Sequence, residues 1–184
     1  MKKNILCIVL LTISFKLLSQ DSKISFELNY PIPLGDNFIG ESYTGIIDAG
    51  VDYKFVNLSP VKIGASLNGG ILINNKSDIF KTTAYTIQPR LFGELNIESI
   101  EKLRPSVGIG YTIMFFDVSG TDTTESTDTQ SGFNLNFGVA YDIYKKFFVQ
   151  FQYDFVKLGA QDNLPDISFN TNIHLIKVGV GYKL

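Results

Sequence analysis

Lys177-Val178-Gly179-Val180-Gly181-Tyr182-Lys183-Leu184 alternates strictly, and that alternation decides the fold. In an extended chain, successive side chains point to opposite faces. Ile176, Val178, Val180, Tyr182 and Leu184 therefore share one face, and Lys177, Gly179, Gly181 and Lys183 share the other. The first face is wholly apolar. The second mixes charge with glycine.

The pattern recurs upstream. Ile24, Phe26, Leu28 and Tyr30 oppose Ser25, Glu27 and Asn29; Ile47, Ala49, Val51, Tyr53 and Phe55 oppose Asp48, Gly50, Asp52 and Lys54. Ile63, Ala65, Leu67 and Ile71 alternate with Lys62, Gly64, Ser66, Asn68 and Gly70, then Ile87, Leu91, Leu95 and Ile97 with Gln88, Arg90, Glu94 and Asn96. Three more segments run from Val107 to Phe115, Phe133 to Tyr141 and Phe147 to Phe155, which makes eight strands. Most cover about 9–14 residues, longer than an ordinary globular strand and suited to a tilted crossing of a bilayer. Connections alternate in length. Residues 31–44, 74–83, 118–131 and 159–170 read as long loops, and 56–60, 98–103 and 143–146 as short turns. Short turns on one side and long loops on the other is the layout of an up-and-down membrane barrel.

Alternation alone does not say which face is wet, since a soluble barrel would turn the same apolar residues inward. Glycine decides it: Gly50, Gly64, Gly70, Gly108, Gly110, Gly138, Gly179 and Gly181 all lie on the polar face. Glycine weakens a solvated strand face but relieves crowding inside a narrow barrel. Tyr30, Phe55, Tyr141, Tyr153, Phe155 and Tyr182 sit near strand ends on the apolar face, where aromatic girdles meet the lipid–water boundary.

The first residues differ from the rest. Lys2 and Lys3 precede an apolar run from Ile5 to Phe15, too short to span a bilayer, and Ser19 offers a small residue before Gln20. Residues 1–19 are expected to be a signal peptide and 20–184 one barrel domain. Cleavage would remove Lys2, Lys3 and Lys16, leaving 13 basic against 18 acidic residues. It would also remove Cys7, the one cysteine, which suits an oxidising compartment. Of the 184 residues only 18% are charged, against an average of about 25%, and the net charge of −2 argues against a nucleic-acid partner.

The closing segment resembles the C-terminal assembly signal of outer-membrane barrels, with Lys177, Gly179, Tyr182 and Leu184 at its marked positions. Leu184 stands where Phe is commoner. The chain after residue 19 resembles the small outer-membrane β-barrel group, the porin family of OmpX/OmpW-like proteins. The resemblance implies an all-β, eight-stranded antiparallel transmembrane β-barrel in the outer membrane of a Gram-negative cell. It also implies that the barrel-assembly machinery reads the last strand.

Inside such a barrel, Glu27, Asp48, Arg90, Glu94 and Lys177 fall at mid-strand and are expected to join a charge network across the lumen. Asp52, Lys54, Lys62, Asp142, Asp154 and Lys183 share that face. Eight strands leave room for little but side chains, so a plugged scaffold is favoured over a low-conductance path for ions or small solutes. His174, the sole histidine, has Ser168 and Asp166 nearby in sequence, but no nucleophile motif surrounds it, and an interfacial histidine is preferred to a lipid-modifying enzyme. With no Cys beyond residue 19 and one His, neither a metal nor a cofactor site is expected. The loop at 118–131, with Asp117, Asp122, Glu125 and Asp128 in and beside it, is expected to be solvated, with cation capture as the alternative. The first loop, carrying Pro31, Pro33, Phe38 and Tyr43, is apolar enough to pack over the barrel mouth. The expected partners are lipid, the assembly machinery and a ligand at the outer loops, with the chain a monomer whose two termini are periplasmic.

Overall fold

The computed structural model describes residues 23–74, 76, 80–120, 126–160 and 166–184. The signal segment 1–19, Asp122 and Glu125 lie outside them. The described residues form eight strands: β1 (Ile24–Leu34), β2 (Thr44–Leu58), β3 (Val61–Asn74), β4 (Phe80–Leu95), β5 (Leu103–Gly120), β6 (Ser126–Tyr144), β7 (Phe147–Leu158) and β8 (Asn172–Lys183). Each pairs antiparallel with the next, and β8 returns to β1 from Ser25↔Lys183 to Leu34↔His174, closing the barrel.

Closure gives every strand two neighbours, so along the fully paired part of the wall no ladder is left open to lipid. The outer wall is apolar: Leu28, Leu67, Leu91, Val107, Ile109, Phe137, Phe151 and Val180 all stand exposed on it. Near the end that holds Lys23 and Leu184, the two termini of the described residues, Phe147 meets Tyr182 edge-on, with ring centroids 5.0 Å apart.

The same end carries the tight connections, from Leu58 to Val61, from Leu95 through the 3-10 turn Glu98–Ile100 to Leu103, and from Tyr144 to Phe147. The opposite end carries the other four, of which 35–43 and 159–171 are the longest. They include two short helices, α1 (Phe38–Ser42) and α2 (Ser168–Thr171). Gly35, at φ 83°, makes the turn from β1 into α1, a conformation that a Cβ would disfavour. Asn37 then caps α1 by accepting from Gly40 N at 2.8 Å.

Three loop expectations are corrected. Residues 118–131 are mostly paired strand, with Val118↔Ser126, Asp117↔Thr127 and Phe116↔Asp128 in register. Their Ser, Thr and Asp residues carry no apolar rhythm, yet pairing needs only backbone and tolerates β-branched threonine. Residues 74–83 likewise shrink, because β4 begins at Phe80 and Asn74 pairs with Thr82. Pro31 and Pro33 lie within β1 and not beyond it. Past Asn29 the strand pairs with β8 alone, so an imide nitrogen on the open side forfeits no ladder bond.

Candidate functional site: the lumen

Inward residues stack in layers from the termini end to the loop end. At the termini end Glu94 (β4) is shared by Lys54 (β2) at 2.6 Å and Arg104 (β5) at 2.5 Å. Arg104 also reaches Asp142 (β6), through Nε at 3.1 Å, and its guanidinium lies 4.9 Å from the centroid of the Phe148 ring (β7). Lys183 (β8) binds the other Asp142 oxygen at 2.5 Å. Gly181 gives Phe148 its space, because a Cβ there would overlap the ring.

One layer deeper sits Glu27, 6% exposed and held by four amides. Its Oε2 accepts from Gln150 at 2.6 Å and Gln152 at 3.0 Å, and its Oε1 from Asn29 at 3.3 Å and from Asn68. Neutral donors at both oxygens solvate the carboxylate without a counter-ion. Beside it a cavity of about 40 Å³ is lined by Asp52, Ser66, Asn68, Asn136 and Gln152 among others. Asp52 accepts from Ser25 at 3.3 Å.

The mid-lumen layer is the driest. Lys177, 1% exposed, lies 2.7 Å from Asp48 and 2.9 Å from Asp154, and it donates to Gln88 at 2.8 Å. Arg90 binds the same Asp154 oxygen at 2.6 Å, Asn134 at 2.6 Å and Gln88 at 2.6 Å. Asn136 donates to the second Asp154 oxygen at 2.6 Å. The chain Asp48–Lys177–Asp154–Arg90 thus crosses from β2 through β8 and β7 to β4. Buried ions are tolerated when they are paired and their remaining polar atoms are bonded, and both conditions hold here.

Above this layer the inward side chains are mainly apolar. Leu72, Ala84, Met114, Phe116, Val156, Leu158, Ile173 and Leu175 pack together inside the barrel, and Ile39 of α1 drops into the cluster fully buried. Phe38, Tyr43 and Phe116 meet at centroid distances of 6.0–6.4 Å. Burial pushes the Tyr43 phenol up, partly offset by a hydrogen bond with Thr82.

The five mid-strand residues singled out from the sequence therefore divide. Asp48, Arg90 and Lys177 meet through Asp154; Glu94 joins the lower cluster; Glu27 has amide partners alone. Arg104 was missed, although extending the β5 alternation back two residues from Ser106 turns it inward. The amide residues that solvate the charges carry no motif.

His174 faces outward near the loop end, its Nδ1 2.6 Å from the Tyr153 hydroxyl and its ring against Phe155. Among the described residues no serine or carboxylate bonds it, and Ser168 lies in α2. None of the described His, Asp and Glu side chains gather in a metal-ligating group. In the last strand, Lys177 is bound within the lumen, Gly179 faces Asn29 at a distance that excludes a Cβ, Tyr182 faces outward, and Leu184 N donates to Ile24 O at 3.0 Å.

A closed antiparallel barrel, apolar outside and polar within, is a membrane-embedded β-barrel protein. The chain belongs to the outer membrane protein beta-barrel domain family, whose model matches residues 12–183. Among solved structures it is similar to Neisserial surface protein A, at 15% identity over 88% of this chain and 96% of that one, with a TM-score of 0.61. Ail, the attachment invasion locus protein of Yersinia pestis, solved with the heparin analogue sucrose octasulfate, aligns at 12% identity over 88% and 96%, TM-score 0.60. The N-terminal β-barrel domain of Pseudomonas aeruginosa OprF aligns at 14% over 88% and 96%, TM-score 0.59. At these identities the likeness is one of fold. No curated protein matches the chain.

Proposed function

We propose that this outer-membrane barrel is a structural or surface-interaction scaffold, with a lumen stopped by its own side chains and its loops turned outward. The observation that carries this is the Asp48–Lys177–Asp154–Arg90 chain, which crosses the lumen beneath the apolar cluster around Ile39. An ion entering that layer would have to displace buried charge pairs and then pass through hydrocarbon side chains. On this proposal residues 1–19 direct export, the termini end faces the periplasm, and the β8 signal is read by the assembly machinery. The barrel works as a monomer in lipid, and an extracellular ligand meets the loop end.

The test is single-channel conductance of the folded protein in a planar bilayer, with Arg90→Ala alongside. Silence from both is expected, because the apolar cluster remains when Arg90 is shortened. Discrete steps in the unaltered protein that change with Arg90→Ala would overturn the scaffold and put a low-conductance porin in its place. His174→Ala is expected to leave membrane lipid composition unchanged; an altered lipid profile would point to an interfacial lipid-modifying enzyme instead.

A further inference from the structure

The termini end of the barrel holds a pocket of about 220 Å³. Five cationic side chains line it, Lys23, Lys54, Lys62, Arg104 and Lys183, together with one carboxylate, Glu94. That carboxylate is already divided between Lys54 and Arg104. Asp142, just above, is taken up by Arg104 and Lys183. Among the described residues neither Lys23 nor Lys62 has a carboxylate within ion-pair distance, so both line the pocket without an ion-pair partner from the described wall.

A second observation points the same way. Arg104 is 5% exposed, and its Nη2 makes no hydrogen bond. It stands 3.0 Å from an Asp142 oxygen, out of line for a bond, while Nη1 and Nε hold Glu94 and Asp142. A buried guanidinium nitrogen with an unspent donor is uncommon, and this one belongs to a side chain that lines the pocket.

We propose that this pocket binds a phosphate oxyanion. A phosphate presents several acceptor oxygens to converging N–H donors, and a planar guanidinium beside point-charge ammonium groups is the donor set that such an anion selects. Phe55 lines the same pocket while standing exposed on the lipid-facing wall. The pocket therefore opens at the rim, where a lipid headgroup phosphate would lie with its chains against the apolar belt; free phosphate has the same chemistry. The site lies at the opposite end of the lumen from α1 and does not depend on whether the barrel conducts.

The experiment is titration calorimetry on the folded chain in maltoside detergent, which contains no phosphate, at constant ionic strength in sodium chloride. Inorganic phosphate is one titrant and a short-chain phosphatidic acid the other, with the matching diacylglycerol as control. The protein is compared with the Lys23→Gln/Lys62→Gln double variant, with Lys62→Gln alone, and with Lys76→Gln/Lys81→Gln, which removes the same charge elsewhere. Folding of each is checked by its shift in gel mobility on boiling. Among the described residues neither Lys23 nor Lys62 is ion-paired, so these variants are expected to fold.

The expected result is affinity for at least one phosphate titrant, weakened about tenfold by Lys23→Gln/Lys62→Gln, by a smaller factor in Lys62→Gln alone, and left within about twofold by Lys76→Gln/Lys81→Gln. Binding of inorganic phosphate would identify a soluble anion as ligand, and binding of phosphatidic acid alone a headgroup. Two results overturn the proposal: no binding of either titrant, or equal weakening in both double variants, which would mean general charge attraction.

Discussion

The two ends of the lumen are closed by different physics. At the loop end, Leu72, Met114, Phe116, Val156, Leu158 and Ile173 bury apolar surface against Ile39, a residue from a helix outside the barrel wall. From the middle to the termini end, closure comes from charges on the strands themselves, paired dry at Lys177 and wetter at Lys183, whose side chain is 17% exposed. The contrast teaches that one barrel can be stopped twice by independent means. The apolar stop tolerates local rearrangement, whereas the ionic stop fails as soon as one partner leaves.

The largest expected effect is therefore at the dry pairs. Lys177→Ala leaves Asp48 in the interior without a counter-ion and Asp154 with Arg90 as its one described ion-pair partner, and should cost about 3–5 kcal/mol. Equilibrium urea unfolding in phospholipid vesicles measures it, followed by circular dichroism because the chain has no tryptophan. A loss below about 1 kcal/mol would mean that water enters this layer, and the contrast between the ends would collapse. Next comes Met114→Ala in the apolar stop, expected to cost about 2–4 kcal/mol in the same assay, because the cavity it leaves can be partly filled by movement of α1. A larger loss than that from Lys177→Ala would reverse the order of the two stops. The smallest effect belongs to Lys183→Met at the wet rim. It should cost about 1 kcal/mol or less and shrink further in added salt, while the Lys177→Ala loss stays constant with salt.

How much of this was legible depended on whether a residue obeyed the alternation. The eight strands, their facing and the inward placement of Glu27, Asp48, Arg90, Glu94 and Lys177 follow from period two and need no long-range information. Which charge meets which does not. Glu94 and Arg90 are neighbours on one face of β4, yet they pair in different layers, because partners are set by the positions of β2, β5 and β7 around the ring. The apolar stop was hidden for another reason. Leu72, Met114 and Val156 sit at inward positions, where a polar-inside rule expects polar side chains, and α1 is too short to announce itself by periodicity. The third long loop was overdrawn because hydrophobic contrast ends well before hydrogen bonding does.

Lys177 carries a further consequence. The outer wall is mainly apolar, so sliding β8 past β1 by two residues would still leave mostly apolar side chains toward lipid and polar ones within. Hydrophobicity alone does not penalise that slippage. Such a step moves a side chain by about 7 Å, far outside the 2.7 Å that joins Lys177 to Asp48 of β2, on the far side of β1. The buried charges thus act as a positional code that tells the correct alignment from its near neighbours, and the code is read only when the first and last strands finally meet.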